Sequence, residues 1–73
     1  YIQLGKVLLK RQDPVNAMMY LERAERMDPG NYITHSLLGQ AYRSLGRTED
    51  ATREVQLSQK IQEANQPKLE PIH

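Results

Sequence analysis

The sequence predicts an all-α fold of two antiparallel helix hairpins. Apolar residues recur at helical spacing in four segments, and turn-forming residues separate these segments. The same pattern of residues occurs twice without a gap, so that Leu4 in the first copy corresponds to Leu38 in the second. We call the separation between such equivalent residues the repeat period. Four aligned pairs are identical, among them a glycine and an alanine that hold the same place in both copies. The identical pairs are Leu4 and Leu38, Gly5 and Gly39, Ala17 and Ala51, and Asn31 and Asn65.

The first two helices follow from apolar spacing and from one turn. Leu4, Val7 and Leu8 recur at helical spacing and predict an amphipathic helix near the start of the chain. A second helix begins at Asp13 and Pro14, because aspartate can accept the free amide hydrogens of a helix start and proline suits the first turn. The apolar row of this second helix consists of Ala17, Tyr20, Leu21, Ala24 and Met27.

The third and fourth helices have their own start and stop residues. Asn31 is the predicted N-cap of a third helix that runs to about Ser44, and Gly46 is a glycine stop after it. A fourth helix starts near Thr48, with acidic residues in its first turn, and continues to about Asn65. The expected apolar rows are Leu38, Ala41, Tyr42 and Leu45 in the third helix, and Leu57, Ile61 and Ala64 in the fourth.

The chain is predicted to divide into two repeats and a tail. Residues 1–31 form the first repeat, residues 32–65 form the second with an extended last helix, and residues 66–73 form a flexible C-terminal tail. Two hairpins leave apolar faces that need a neighbour, and the chain opens within an amphipathic pattern. We therefore expect either further repeats before Tyr1 or the association of two copies.

Small residues are expected to set the distance between paired helices. Gly5 and Gly39 have no side chain, so the second helix of each pair can come close. The small partners expected opposite these glycines are Ala17, Ala24 and Ala51. Large residues should then fill the edges of each contact. These residues are Leu4, Leu8, Leu21, Leu38, Tyr42 and Val55.

Composition excludes several classes of protein. The net charge of +1 lacks the basic excess on which nucleic-acid binding draws, so no nucleic-acid partner is expected. No apolar run approaches the roughly 20 residues that cross a bilayer, so no membrane insertion is expected. The chain has no cysteine, which excludes disulfides and cysteine-based zinc sites. Nothing in the sequence assigns a compartment.

No constellation of residues predicts catalysis, a cofactor or a metal site. The glycines form neither a dinucleotide-binding fingerprint nor a P-loop, and no nucleophile has a base at a suitable spacing. His35 lies on an apolar helix face, which favours a packed and hydrogen-bonded core residue over a ligand or base. The acidic residues are interpreted as solvated faces and capping charges. These acidic residues are Glu22, Glu25, Glu49, Asp50 and Glu54.

The repeat period, with two helices per period and small residues at fixed positions, resembles that of the tetratricopeptide repeat family. The matching residues of the first copy are Tyr1, Leu4, Gly5, Leu8, Ala17, Leu21, Ala24 and Pro29, and those of the second are His35, Leu38, Gly39, Tyr42, Ala51 and Val55. Gln12 departs from the pattern where the first turn often has glycine. The resemblance implies an α-solenoid of helix hairpins stacked in a right-handed superhelix.

The resemblance also implies a binding surface. In this family the first helices of successive hairpins line a concave groove that receives a peptide or a partner helix. By position, the implied peptide-binding residues are Ile2, Lys6, Leu9, Lys10, Ile33, Ser36, Gln40 and Arg43. The basic members of this set suit an acidic segment or a terminal carboxylate.

Two functions are compatible with these features. The first is a non-catalytic protein-interaction scaffold that binds a peptide or a partner protein through the concave groove. The alternative is a structural repeat unit that forms a homo-oligomer through its exposed apolar ends, near Ile2 and along Leu57, Ile61 and Ala64.

Overall fold

A computed structural model describes residues 1–65 of the chain, and these residues form helices without any strand. The elements are α1 (Ile2–Lys10), α2 (Pro14–Met27), α3 (Tyr32–Ser44) and α4 (Thr48–Asn65). The four helices confirm the predicted all-α class. Between residues 1 and 65, no helix is long and apolar enough to cross a membrane. The predicted tail, residues 66–73, lies outside the described residues.

The helices pair in chain order. α1 packs on α2 and α3 packs on α4, which gives two hairpins. The two hairpins contact one another through the packing of α2 on α3. α1 also contacts α3, so the first helices of the two hairpins lie side by side. The core between the hairpins consists of Ala17, Leu21, Leu37 and Leu38. The half-buried residues Ile2, Leu8, Leu9, Met18 and Tyr42 pack against it.

The end of α3 is closed by a glycine in the left-handed region. Gly46 has a φ of 78°. Its amide donates to the Arg43 carbonyl at 3.1 Å, and the Arg47 amide donates to the Tyr42 carbonyl at 2.8 Å. These two bonds form a Schellman motif, which satisfies carbonyls that the helix itself leaves free. The glycine stop predicted from the sequence is confirmed.

The end of α1 has the same motif one repeat period earlier, with a different residue at its centre. The Gln12 amide donates to the Leu9 carbonyl at 3.1 Å, and the Asp13 amide donates to the Leu8 carbonyl at 2.9 Å. Gln12 has a φ of 60°, a conformation that favours glycine over residues with a Cβ atom. The backbone therefore repeats with the sequence period even where the favoured residue is missing.

Side chains satisfy the starts of α2 and α3 as predicted. The Asp13 carboxylate accepts a hydrogen bond from the Asn16 amide at 3.4 Å, and the Asn31 side chain accepts one from the Ile33 amide at 3.0 Å. α4 begins at Thr48 and carries two acidic residues in its first turn. These contacts fix where each helix begins and hence which side chains face the neighbouring hairpin.

The two glycines of the repeat lie where a side chain would not fit. A Cβ atom added to Gly5 would lie 2.6 Å from Cδ2 of Leu21, and one added to Gly39 would lie 3.1 Å from Cγ2 of Val55 and 3.4 Å from the Ala51 carbonyl oxygen. Leu21 and Val55 are separated by one repeat period, so the contact repeats. We expected alanines opposite the glycines, but the nearest side chains are these branched residues.

Some residues expected in the core are exposed. Leu4 is 42% exposed, whereas Leu38, its equivalent in the second repeat, is fully buried. The first hairpin covers the Leu38 face of α3, and nothing in residues 1–65 covers the corresponding face of α1. Met27, at the last position of α2, is 74% exposed. Leu4, expected at the edge of a helix contact, and Met27, from the apolar row of α2, are therefore largely exposed in this hairpin pair.

Candidate functional site

A depression of about 340 Å³ lies between α1 and α3. We call it the α1–α3 groove and define it by its lining residues, which are Lys6, Leu9, Lys10, Leu37 and Gln40. Lys6 and Lys10 share one face of α1 because they are four positions apart, and Leu37 and Gln40 share one face of α3 because they are three apart. Direct packing of α1 on α3 brings these two faces together.

The α1–α3 groove has an apolar floor and a cationic rim. Leu37 is buried and Leu9 is half-buried, and both belong to the packed core. The side chains of Lys6 and Lys10 are exposed, as is the amide of Gln40. A long lysine side chain can cover apolar surface with its methylene groups while its ammonium group stays in water. The groove therefore offers apolar contact and positive charge within one turn of helix.

A second depression adjoins this groove. This second depression, of about 380 Å³, is lined by Leu9, Gln12, Pro14 and Ser44. Leu9 lines both depressions, so they are adjacent at the C-terminal ends of α1 and α3.

The structure brings together four of the eight residues implied as peptide-binding: Lys6, Leu9, Lys10 and Gln40. Ile2 is half-buried and lines a separate depression beside the end of α2. Ser36 is half-buried, and its hydroxyl lies 2.8 Å from the hydroxyl of Ser58 on α4. Ile33 and Arg43 are on α3 without lining the groove.

Leu37 is the groove residue that the sequence analysis missed. It precedes Gln40 by three positions, which places the two on the same helix face. This spacing was available in the sequence, but the run of Leu37, Leu38 and Gly39 does not show which leucine faces the core and which also faces the groove. Only the packing of α1 beside α3 distinguishes them.

His35 is buried beneath the junction of the two hairpins. It is 5% exposed, its Nε2 lies 2.8 Å from the Pro29 carbonyl oxygen, and its Nδ1 lies 2.6 Å from Oε2 of Glu54. The prediction of a packed, hydrogen-bonded histidine is confirmed. Glu54 was expected to be solvated, but only 12% of its side chain is exposed, because it lies against this ring.

The surroundings of His35 change the pKa values of two groups. Burial by itself lowers the pKa of His35, but the hydrogen bonds to Pro29 and Glu54 and the charges of Glu54 and Glu25 outweigh burial and raise it above its ordinary value. Burial raises the pKa of Glu25, and the nearby charge of Glu54 raises it further. The two carboxylates are thus held close enough to repel one another.

Tyr42 connects α3 to α2 and to the start of α4. Its hydroxyl lies 3.5 Å from Oε1 of Glu22 on α2, and the guanidinium of Arg47, just before α4, lies 4.7 Å from the centre of its ring. Burial raises the pKa of Tyr42, and the charge of Glu22 adds to this effect. The residue fills the space at the edge of the hairpin contact, as the sequence pattern predicted for a large side chain at this position.

Residues 8–67 match the family model of the tetratricopeptide repeat (TPR), and two copies of the same helix hairpin lie in the described part of the chain. The chain belongs to the TPR family. TPR repeats form a non-catalytic scaffold family that generally mediates protein–protein interaction by binding proteins or peptides. No curated protein and no solved structure matches the chain. In this TPR chain, the α1–α3 groove lies between the first helices of the two repeats.

Proposed function

We propose that this chain binds an acidic peptide segment, or the C-terminal carboxylate of a partner protein, in the α1–α3 groove. The observation that carries the proposal is the placement of Lys6 and Lys10 at the rim of a depression whose floor contains Leu9 and Leu37. Charged hydrogen bonds to lysine would orient a carboxylate, and the leucines would contact an apolar side chain of the same ligand.

The remaining predicted residues extend this proposal along α3. Gln40 offers both a donor and an acceptor to a peptide backbone. Arg43 follows it by three positions and adds a third cation beside the groove, and Ile33 is exposed near the start of the helix. Ile2 and Ser36 stay part of the predicted set, although Ile2 lines another depression and Ser36 contacts Ser58 in the structure.

Fluorescence anisotropy with labelled peptides tests the proposal. The probes are a ten-residue peptide of alternating glutamate and leucine, its glutamine analogue, and the same acidic peptide with an amidated C-terminus. We expect the glutamate peptide to bind more tightly than the glutamine analogue, and binding to weaken as salt rises. The amidated peptide shows whether the terminal carboxylate contributes.

Charge reversal locates the binding surface. Lys6→Glu and Arg43→Glu should each weaken binding of the acidic peptide, whereas Lys60→Glu, which makes the same charge change on α4, should not. Equal losses for all three variants would show that only the net charge matters and would refute the groove assignment. Unchanged binding in Lys6→Glu would refute it as well.

A second proposed function is association through the uncovered face of α1. Leu4 and Val7 are 42% and 44% exposed, while their equivalents in the second repeat, Leu38 and Ala41, are fully buried against the other hairpin. Another hairpin, from a second copy or from adjoining sequence, would cover this face in the same way. Light scattering over a concentration series tests self-association: a mass that rises with concentration and falls back in Leu4→Glu supports it, and a monomer throughout excludes it.

A further inference from the structure

The environment of His35 joins three helices around one ring. Its Nδ1 lies 2.6 Å from Oε2 of Glu54 on α4 and 3.5 Å from Oε2 of Glu25 on α2. The three ligand-type atoms all lie within 4.8 Å of one another. The cluster bridges the two repeats, because Glu25 belongs to the first hairpin and His35 and Glu54 to the second.

The hydrogen bonds of the ring determine what faces the carboxylates. The Pro29 carbonyl can only accept, so Nε2 of His35 carries a hydrogen and donates it at 2.8 Å. In the neutral ring Nδ1 then carries a lone pair, and this lone pair points at two carboxylates that also have only lone pairs to offer. A hydrogen on Nδ1, a hydrogen on one of the carboxyl groups, or a metal cation between them would remove this opposition of lone pairs.

The equivalent position in the first repeat shows that the fold does not need a charged cluster here. Tyr1 and Tyr20, which precede His35 and Glu54 by one repeat period, stack with ring centres 6.1 Å apart. An aromatic pair thus fills this site in one repeat, and an imidazole with a carboxylate fills it in the other. The second repeat therefore carries possible metal ligands at a position where, in the first repeat, the packing of two aromatic rings is sufficient for the fold.

The two distances from Nδ1 suit a tetrahedral metal ion, and the two carboxylate oxygens lie within 4.8 Å of one another. Bonds of about 2.0–2.1 Å place neighbouring ligands roughly 3.3 Å apart. The distance from Nδ1 to Glu25 is 3.5 Å, and the distance from Nδ1 to Glu54 must increase by less than about 1 Å from 2.6 Å. The donation of Nε2–H to a backbone carbonyl is the arrangement that orients metal-bound histidines.

We propose that Glu25, His35 and Glu54 bind a zinc ion, with a water molecule as the fourth ligand. Imidazole favours zinc over calcium and magnesium, which prefer oxygen ligands alone. Three protein ligands leave one position for water, and the side chain of Glu25, which is 35% exposed, provides access from solvent. The bound ion would neutralise the repulsion between the two carboxylates and fix the first repeat to the second.

Zinc binding to the whole chain tests the proposal directly. Isothermal titration with Zn²⁺ should give one saturable site, and Ca²⁺ should not compete for it. Glu25→Gln and Glu54→Gln keep the side-chain volume and should each weaken zinc binding by about tenfold or more. Glu22→Gln removes the same charge one turn away on α2 and should leave affinity within about twofold, as should His73→Ala, which removes the other histidine of the chain.

A second measurement does not depend on any variant. Nitrogen-15 NMR of the His35 ring should show Nδ1 change to a metal-bound nitrogen on addition of zinc while Nε2 keeps its hydrogen. Absence of saturable binding, loss of binding in His73→Ala, or equal affinity in Glu54→Gln and Glu22→Gln would each overturn the proposal. A His35 ring that stays doubly protonated at saturating zinc would also overturn it and would assign a hydrogen to Nδ1.

Discussion

Replacing Gly5 with alanine tests whether the pairing of α1 with α2 depends on a missing side chain. The new Cβ atom would lie 2.6 Å from Cδ2 and 2.7 Å from Cγ of Leu21. Leu21 is fully buried, so its branched end can move only by displacing the residues packed around it. Overpacking of this kind costs about 1–3 kcal/mol, while alanine improves helix propensity by about 1 kcal/mol. We expect a net loss of up to about 2 kcal/mol in the free energy of unfolding.

Urea denaturation followed by circular dichroism measures this loss. Gly30→Ala, in the turn between α2 and α3, is a control without a clash, because a Cβ atom there meets nothing closer than 3.9 Å. In a Leu21→Ala background the clash is absent, so Gly5→Ala should become neutral or stabilising by up to about 1 kcal/mol. Equal effects of Gly5→Ala and Gly30→Ala, or the same loss with and without Leu21, would refute the reasoning.

Four further changes have signs that the structure determines. Gln12→Gly should raise the free energy of unfolding by about 0.5–1 kcal/mol in urea denaturation, because its φ is 60°; Gly46→Ala, at φ 78°, should lower it. Thr34→Val should raise the melting temperature, with a gain of about 1 kcal/mol, because Thr34 is fully buried and its hydroxyl has no partner within residues 1–65. The raised pKa of His35 should make the chelator-treated protein less stable as pH rises above about 6.5, and Glu54→Gln should reduce this dependence.

The pH prediction follows from the direction of the shift. A histidine whose folded pKa exceeds its unfolded pKa binds its proton more tightly in the folded state, so its stabilisation is complete below the unfolded value. That stabilisation is lost as pH rises through the folded value. Denaturation at several pH values with a chelator present measures it, and a stability that increases over this range would contradict the assignment.

Local rules were sufficient to predict the helices. Their starts at Asp13 and Asn31 and the stop at Gly46 depend on hydrogen bonds within a few residues, which the sequence displays directly. The repeat period then predicted that α1 and α3 occupy equivalent positions. Four of the implied groove residues meet for this reason, since the packing of equivalent helices follows from the repeat.

The features that the sequence did not predict depend on contacts between hairpins. Glu25 and Glu54 are far apart along the chain, and only the packing of α2 and α4 around α3 brings both to His35. The exposure of Leu4 was missed for a similar reason, because helical periodicity shows that a face is apolar without showing whether a neighbour covers it. Both cases require knowledge of how many hairpins stack and in which order.

The proposed function depends on where a ligand binds this TPR chain. Titration of the nitrogen-15-labelled protein with the acidic peptide, followed by amide NMR, reports every contacted residue in one experiment. We expect saturable shifts concentrated at the residues of the α1–α3 groove, which are Lys6, Leu9, Lys10, Leu37 and Gln40. Shifts concentrated instead on α2 and α4, or no saturable shifts at millimolar peptide, would contradict the proposed function.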